Sequence, residues 1–208
     1  RFIPERIRVI QMYETEEQKR IREEREEENN KRIENEHIQL EEKKQQIINE
    51  YQNEIQQLEQ WTQLETNSIL FDSDICDWNR KTSTFDKHIW NKNKIGILIE
   101  NEYGIRYGGF IYSTIDKYET FNNKTWKWEG VNDSESFLFA FKENKPMKFE
   151  LKEDKKNEPI FYLCDCIGDP LFGFGNGSEY EIWIGKKNIK SFYCQSKNSN
   201  YDYKRNEN

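Results

Sequence analysis

Histidine is almost absent from this 208-residue chain: His37 and His88 are the only two. A Cys-His or Ser-His pair would therefore have to use His88, since His37 lies in the charged helix, and no paired nucleophile stands out for it. No CxxC pair exists among Cys76, Cys164, Cys166 and Cys194, so a four-ligand zinc site has no basis in the spacing. No apolar run approaches the length of a membrane span. No block of lysine and arginine is long enough for an anionic surface, and the net charge is −7, which argues against nucleic acid as a partner. Neither glycine nor proline occurs from 5 to 65. That stretch can only be helix or disorder. The chain opens on Arg rather than Met, as a fragment would.

What is present divides the chain in two. Residues 1–67 carry 11 Lys+Arg against 17 Asp+Glu, while five of the six Trp and all Phe but Phe2 lie beyond Asn67. The second part can build a core; the first cannot build one alone. The expected organisation is a helical arm over 1–67, a folded domain over 68–203 and a polar tail over 204–208. Fraying is expected from Ser196 onward.

In the arm, residues 14–36 are nearly devoid of apolar side chains apart from Ile21 and Ile33. Charge pairs three and four apart would hold that part as a solvated helix. Further on, Leu40, Ile47, Tyr51, Leu58 and Trp61 fall on steps of three and four, interrupted by Lys44 and Glu54. This imperfect heptad seam predicts a coiled coil and a homo-oligomer built through it. His37 on the seam reads as a register-setting polar residue.

Beyond the arm, Ile69-Leu70-Phe71 reads as a short strand and 72–77 as a turn, with Asp72, Asp74 and Asp77 forming turns and caps. Ser83 or Thr84 caps a short helix reaching Trp90 and burying Phe85 and Ile89. Residues 94–100 and 103–114 form a hairpin through Gly108-Gly109, where a bulge or a crossing backbone is expected. Residues 116–133 read as a loop whose Trp126 and Trp128 cover the core. Strands follow at 136–142, 147–151 and 159–166. Then comes 168–177, with four glycines and Pro170, read as a tight structural turn. It feeds a strand over 180–184 that places Glu181 and Trp183 opposite Tyr180, Ile182 and Ile184. A last strand is expected at 191–195. Short strands without a parallel β-α-β rhythm predict an α+β, mostly β, antiparallel sandwich with peripheral helices after a long charged helix.

Several of these blocks, taken in order, resemble the TLDc domain family. Ser68-Ile69-Leu70-Phe71-Asp72 resembles its opening strand. Ile97-Leu98-Ile99 followed by Tyr107-Gly108-Gly109-Phe110 resembles its hairpin. Asp133-Ser134-Glu135-Ser136-Phe137-Leu138-Phe139-Ala140-Phe141 is similar to its "D-x-x-x-FLFSL" block. Pro170-Leu171-Phe172-Gly173-Phe174-Gly175 is similar to its "P-x-FGxG" block, before the strand Glu181-Ile182-Trp183-Ile184. The cysteine common after the family's short helix is absent near Trp90.

The resemblance covers about two-thirds of the chain and implies a helix-flanked β-sandwich. It further implies links to oxidative-stress resistance and to binding of the vacuolar proton pump. It carries no catalytic residue onto this chain. The expected function is a non-enzymatic, cytoplasmic protein-interaction module with no cofactor and no metal. Its partners would be proteins, proton-pump subunits among them. The alternative is thiol-based redox protection through Cys164, Cys166 or Cys194.

Overall fold

The computed structural model describes residues 15–116, 120–122, 125–127, 130–142, 145–164, 169–176, 179–189, 192–193 and 200–202. The chain divides into two compact units, Arg1–Gln52 and Asn53–Asn208. The second unit thus begins before the expected boundary at 67. The reason is a break in what the composition reads as one long helix.

Helix α1 runs Glu16–Glu50. Thr15 starts it with a capping box: its hydroxyl accepts the Gln18 amide, and the Gln18 side chain accepts the Thr15 amide. No residue of α1 is buried. Exposed ion pairs such as Arg22–Glu26 at 3.2 Å and Lys31–Glu27 at 2.6 Å line it, as expected for a solvated helix. Tyr51, at φ −102° and ψ 21°, ends it. Helix α2 follows at Gln52–Thr62 and closes on Gln63 at φ 57°. The remaining helix, α3, is short, Phe85–Ile89. Its expected cap is supplied by Ser83, whose hydroxyl accepts the Phe85 amide, and not by Thr84. Phe85 and Ile89 are buried as their spacing predicts.

The second unit is an antiparallel β-sandwich. One sheet takes β1 (Ile95–Glu100), β2 (Arg106–Ile111), β6 (Phe137–Lys142) and β7 (Lys145–Glu150) in the order β1-β2-β6-β7. The other takes β5 (Val131–Asn132), β8 (Pro159–Leu163), β9 (Pro170–Asn176), β10 (Glu179–Gly185) and β11 (Phe192–Tyr193) in the order β11-β10-β9-β8-β5. A separate hairpin joins β3 (Thr120–Asn122) to β4 (Thr125–Lys127), inside the stretch expected to be loop. The expected cover by Trp126 and Trp128 concerns side chains outside the described residues.

The core between the sheets joins Ile111, Leu138 and Leu151 to Phe161, Phe172, Phe174 and Ile182. Leu70 and Phe71 pack on it, but Ile69-Leu70-Phe71 forms no strand. Extended backbone without a neighbouring strand cannot join a ladder.

Two glycine expectations change. Gly108-Gly109 forms no bulge: β2 pairs in unbroken register with β1 and β6. Gly109 instead faces inward, where a Cβ would stand 2.4 Å from the Phe174 ring. The glycine-rich stretch is itself the strand β9, paired with β8 and β10. Gly173 lies in register between Tyr162 and Trp183.

Residues 196–208 were expected to fray, yet Asn200 and Tyr201 are buried, Tyr201 completely. Tyr201 bridges Leu151, and the Asp202 amide donates to the Glu150 carbonyl at 2.8 Å. The tail returns across the end of β7 because it carries one aromatic side chain that the core accepts.

Candidate functional site

Side chains alternate across the four-stranded sheet. Ile95, Ile97 and Ile99 of β1 and Tyr107 and Ile111 of β2 join the core between the sheets. The opposite face carries Leu98, Phe110, Tyr112, Phe137, Phe139 and Phe141. In a two-layer sandwich such a face would be polar. Here it is aromatic, and α2 lies on it through Leu58, Trp61 and Leu64.

The contact has three parts. Trp61 sits over the row of β6 aromatics, with ring centroids 6.0 Å from Phe137, 6.5 Å from Phe139 and 6.2 Å from Phe141. Leu58 reaches down at Gly96, its Cδ1 lying 3.5 Å from where a Cβ on that glycine would stand. Arg106 then closes one end: Nη1 donates to Glu54 Oε1 at 3.0 Å and Nε to Glu100 Oε2 at 2.7 Å. Burial of the Arg106 guanidinium works against its charge, but the hydrogen bonds it donates to Glu100 and Glu54, with their negative charges, outweigh it, and its pKa is raised. At the β7 side, Lys148 Nζ stands 4.6 Å from the Phe137 ring centroid.

Leu58 and Trp61, placed on the coiled-coil seam by their spacing, therefore pack against this sheet. Leu40 and Ile47 lie on α1, and Tyr51 stands at the break. The same three-and-four spacing serves a coiled coil or a helix on a sheet equally well. The place where contact with the sheet begins leaves no periodic signal. Only Glu54, an acid set into the apolar pattern, marks where that pattern meets Arg106.

The other singled-out residues have structural surroundings. Cys164 is buried and its amide donates to the Leu171 carbonyl; Cys166 and Cys194 lie outside the described residues. His37 is exposed on α1, and His88 meets Phe71 edge-on at 5.7 Å. The Asp72 carboxylate accepts the Asp74 amide at 2.7 Å, and that of Asp77 accepts the Asn79 amide at 2.8 Å. These are turns, as the spacing suggests. Hydrogen bonds from Thr82 and the Asn79 amide hold the Asp77 carboxyl below its usual range. Among the described residues no group of three His, Cys, Asp or Glu could hold a metal ion. No helix there is long and apolar enough to cross a membrane.

Two buried carboxylates escaped the sequence reading. Asp133 accepts the amides of Tyr112 and Ser113 on Oδ2 and of Glu135 on Oδ1, tying the end of β2 to the start of β6. Its place four residues before Phe137 in the block similar to the family's marked the position but not its burial. Asp133→Asn would leave one oxygen for three amides and cost on the order of 2 kcal/mol. Urea unfolding monitored by tryptophan fluorescence should show that loss.

Glu181 was expected on the outer row with Trp183. A bulge between Tyr180 and Ile182 changes its direction. Gly175, opposite, adopts φ 122°. Glu181 is buried, and its carboxylate accepts both the amide and the side-chain Nδ2 of Asn200. A bulge is invisible to a period-two reading.

No family model, curated protein or solved structure matches the chain.

Proposed function

We propose that this chain is a non-enzymatic protein-interaction module of TLDc type. The sandwich binds a protein partner, vacuolar proton-pump subunits being the class that the resemblance names, in a setting of oxidative-stress resistance. The arm associates with a second copy of itself. The observation that carries the reading is the aromatic sheet face, which already holds a helix by a three-part contact. A surface built for recognition has such buried aromatics beside a fixed charge. The arm contributes exposed apolar residues, Ile21, Ile33 and Ile38, on a helix with no buried side chain.

Two measurements on the full chain test the two halves of this reading. Analytical ultracentrifugation should find an oligomer that the double substitution Leu40→Asp with Ile47→Asp reduces to monomer. A wild-type chain that stays monomeric at the highest attainable concentration removes the arm's role. A pull-down with the full chain should recover a defined protein partner, with the same partner retained by the monomeric variant. Recovery of nothing above a bead control rejects the interaction module.

A further inference from the structure

The α2-covered face has the features of a binding groove rather than of a permanent core. Its floor is Phe110, Phe137 and Phe139, each at most 6% exposed. Its occupant is seated less deeply: Leu58 and Trp61 of α2 are partly buried, and no residue of α2 is fully so. The helix has 11 residues and is bounded by the break at Tyr51 and by the left-handed Gln63. Beyond Gln63, residues 64–71 form no helix or strand. So α2 can leave without opening a sheet ladder or unwinding α1.

We propose that the outer face of the four-stranded sheet is an exchangeable helix-docking groove. In this proposal α2 is its resident occupant, and its external ligand is a short amphipathic helix of a partner protein. This rests on the interaction reading above and names its surface and its ligand class.

The groove dictates the ligand. Gly96 leaves room for an aliphatic side chain, as Leu58 shows. The β6 phenylalanines take a large aromatic side chain three residues later, as they take Trp61. Arg106 requires a carboxylate one turn before the aliphatic residue, as Glu54 provides. The ligand is therefore acidic-x3-Leu-x2-aromatic on one helix face.

Departure of α2 removes the Glu54 carboxylate and leaves Arg106 held by Glu100 at 2.7 Å. It also exposes three adjacent phenylalanines to water, a state that a second helix relieves. A free helix of this length is marginal in water, so a ligand segment orders on the groove. Tethering gives α2 an effective concentration in the millimolar range, which the external helix must overcome. Weakening α2 raises the fraction of open groove and tightens external binding by the same factor.

The probe is a fluorescein-labelled peptide of residues 52–65, read by anisotropy against the full-length chain. Weak binding to the wild type is expected, with binding at least about tenfold tighter to Glu54→Gln and tighter again to Trp61→Ala. A peptide carrying W61A should bind none of them. Glu54→Gln alters one partly exposed carboxylate, so it decides the matter even where Trp61→Ala fails to fold. Absence of peptide binding to all chains overturns the proposal, as does equal affinity for wild type and Glu54→Gln. So does dimerisation of the weakened chains that the peptide does not reverse. If the pull-down partner binds undiminished under saturating peptide, this groove is rejected while the interaction module stands.

Discussion

Tyr201→Ala is expected to destabilise the sandwich by about 3–5 kcal/mol, the cost of emptying a large aromatic site in a packed core. Tyr201 is wholly buried, seven residues from the end of the chain. Its neighbours fix it from three sides. Asn200 is bound to Glu181, the Lys152 amide donates to the Asn200 carbonyl at 3.0 Å, and the Asp202 amide donates to Glu150. Losing the ring therefore loosens the whole return of the tail across the sheets. A domain of this size has roughly 5–15 kcal/mol in total, so the variant would be marginal.

Urea unfolding should show a midpoint lower by roughly 2 M, given slopes of about 1–3 kcal/mol/M. Tyr201→Phe keeps the ring and loses the hydroxyl that makes a long contact of 3.4 Å to the Ser136 hydroxyl. It should cost about 1 kcal/mol or less. Equal midpoints for Tyr201→Ala and the wild type would show that the tail is not seated in the core.

The second large effect is expected at Gly109. An alanine there would place its Cβ 2.4 Å from the Phe174 ring, against a side chain with no exposure. Phe174 has little room to withdraw, because Phe161 and Phe172 hold it at centroid distances of 5.1 and 6.2 Å. The sheets must then part locally. Gly109→Ala should cost about 3 kcal/mol, the upper part of the range for overpacking.

Gly104 supplies the contrast. It sits in the β1–β2 turn at φ 72°, with nothing within 4 Å of the place a Cβ would take. Gly104→Ala meets no neighbour but holds alanine at a left-handed φ, a strain that should cost about 1 kcal/mol. Phe174→Leu combined with Gly109→Ala should recover part of the loss, a coupling readable from a double-mutant cycle. Additive costs in that cycle would mean that the two positions do not meet.

Much of this architecture was legible in the residues. The hairpin β1–β2, the strand β6 and the short helix α3 stand where alternation and capping place them. Each is a local pattern, in which neighbouring residues decide the backbone. The glycine-rich stretch misled for the same reason. Glycine is read as a turn former from its φ freedom, whereas in β9 it is used inside a strand, with Gly173 in register with Tyr162 and Trp183. That use depends on strands distant in sequence. At Leu58 and Trp61 the seam misled likewise, because periodicity shows which face of a helix is apolar and not what covers it.

Composition and period were enough to establish a charged helical arm and a mostly β domain after it. They suffice there because they are properties of a segment alone. Contacts across the fold were needed to show that the compact unit begins at Asn53, that Leu58 and Trp61 lie on the sheet, that Glu181 turns inward at a bulge, and that Tyr201 closes the core. Each of these joins residues many positions apart. Their placement follows from which surfaces meet, and burial of an apolar face is blind to the order of the chain that supplies it.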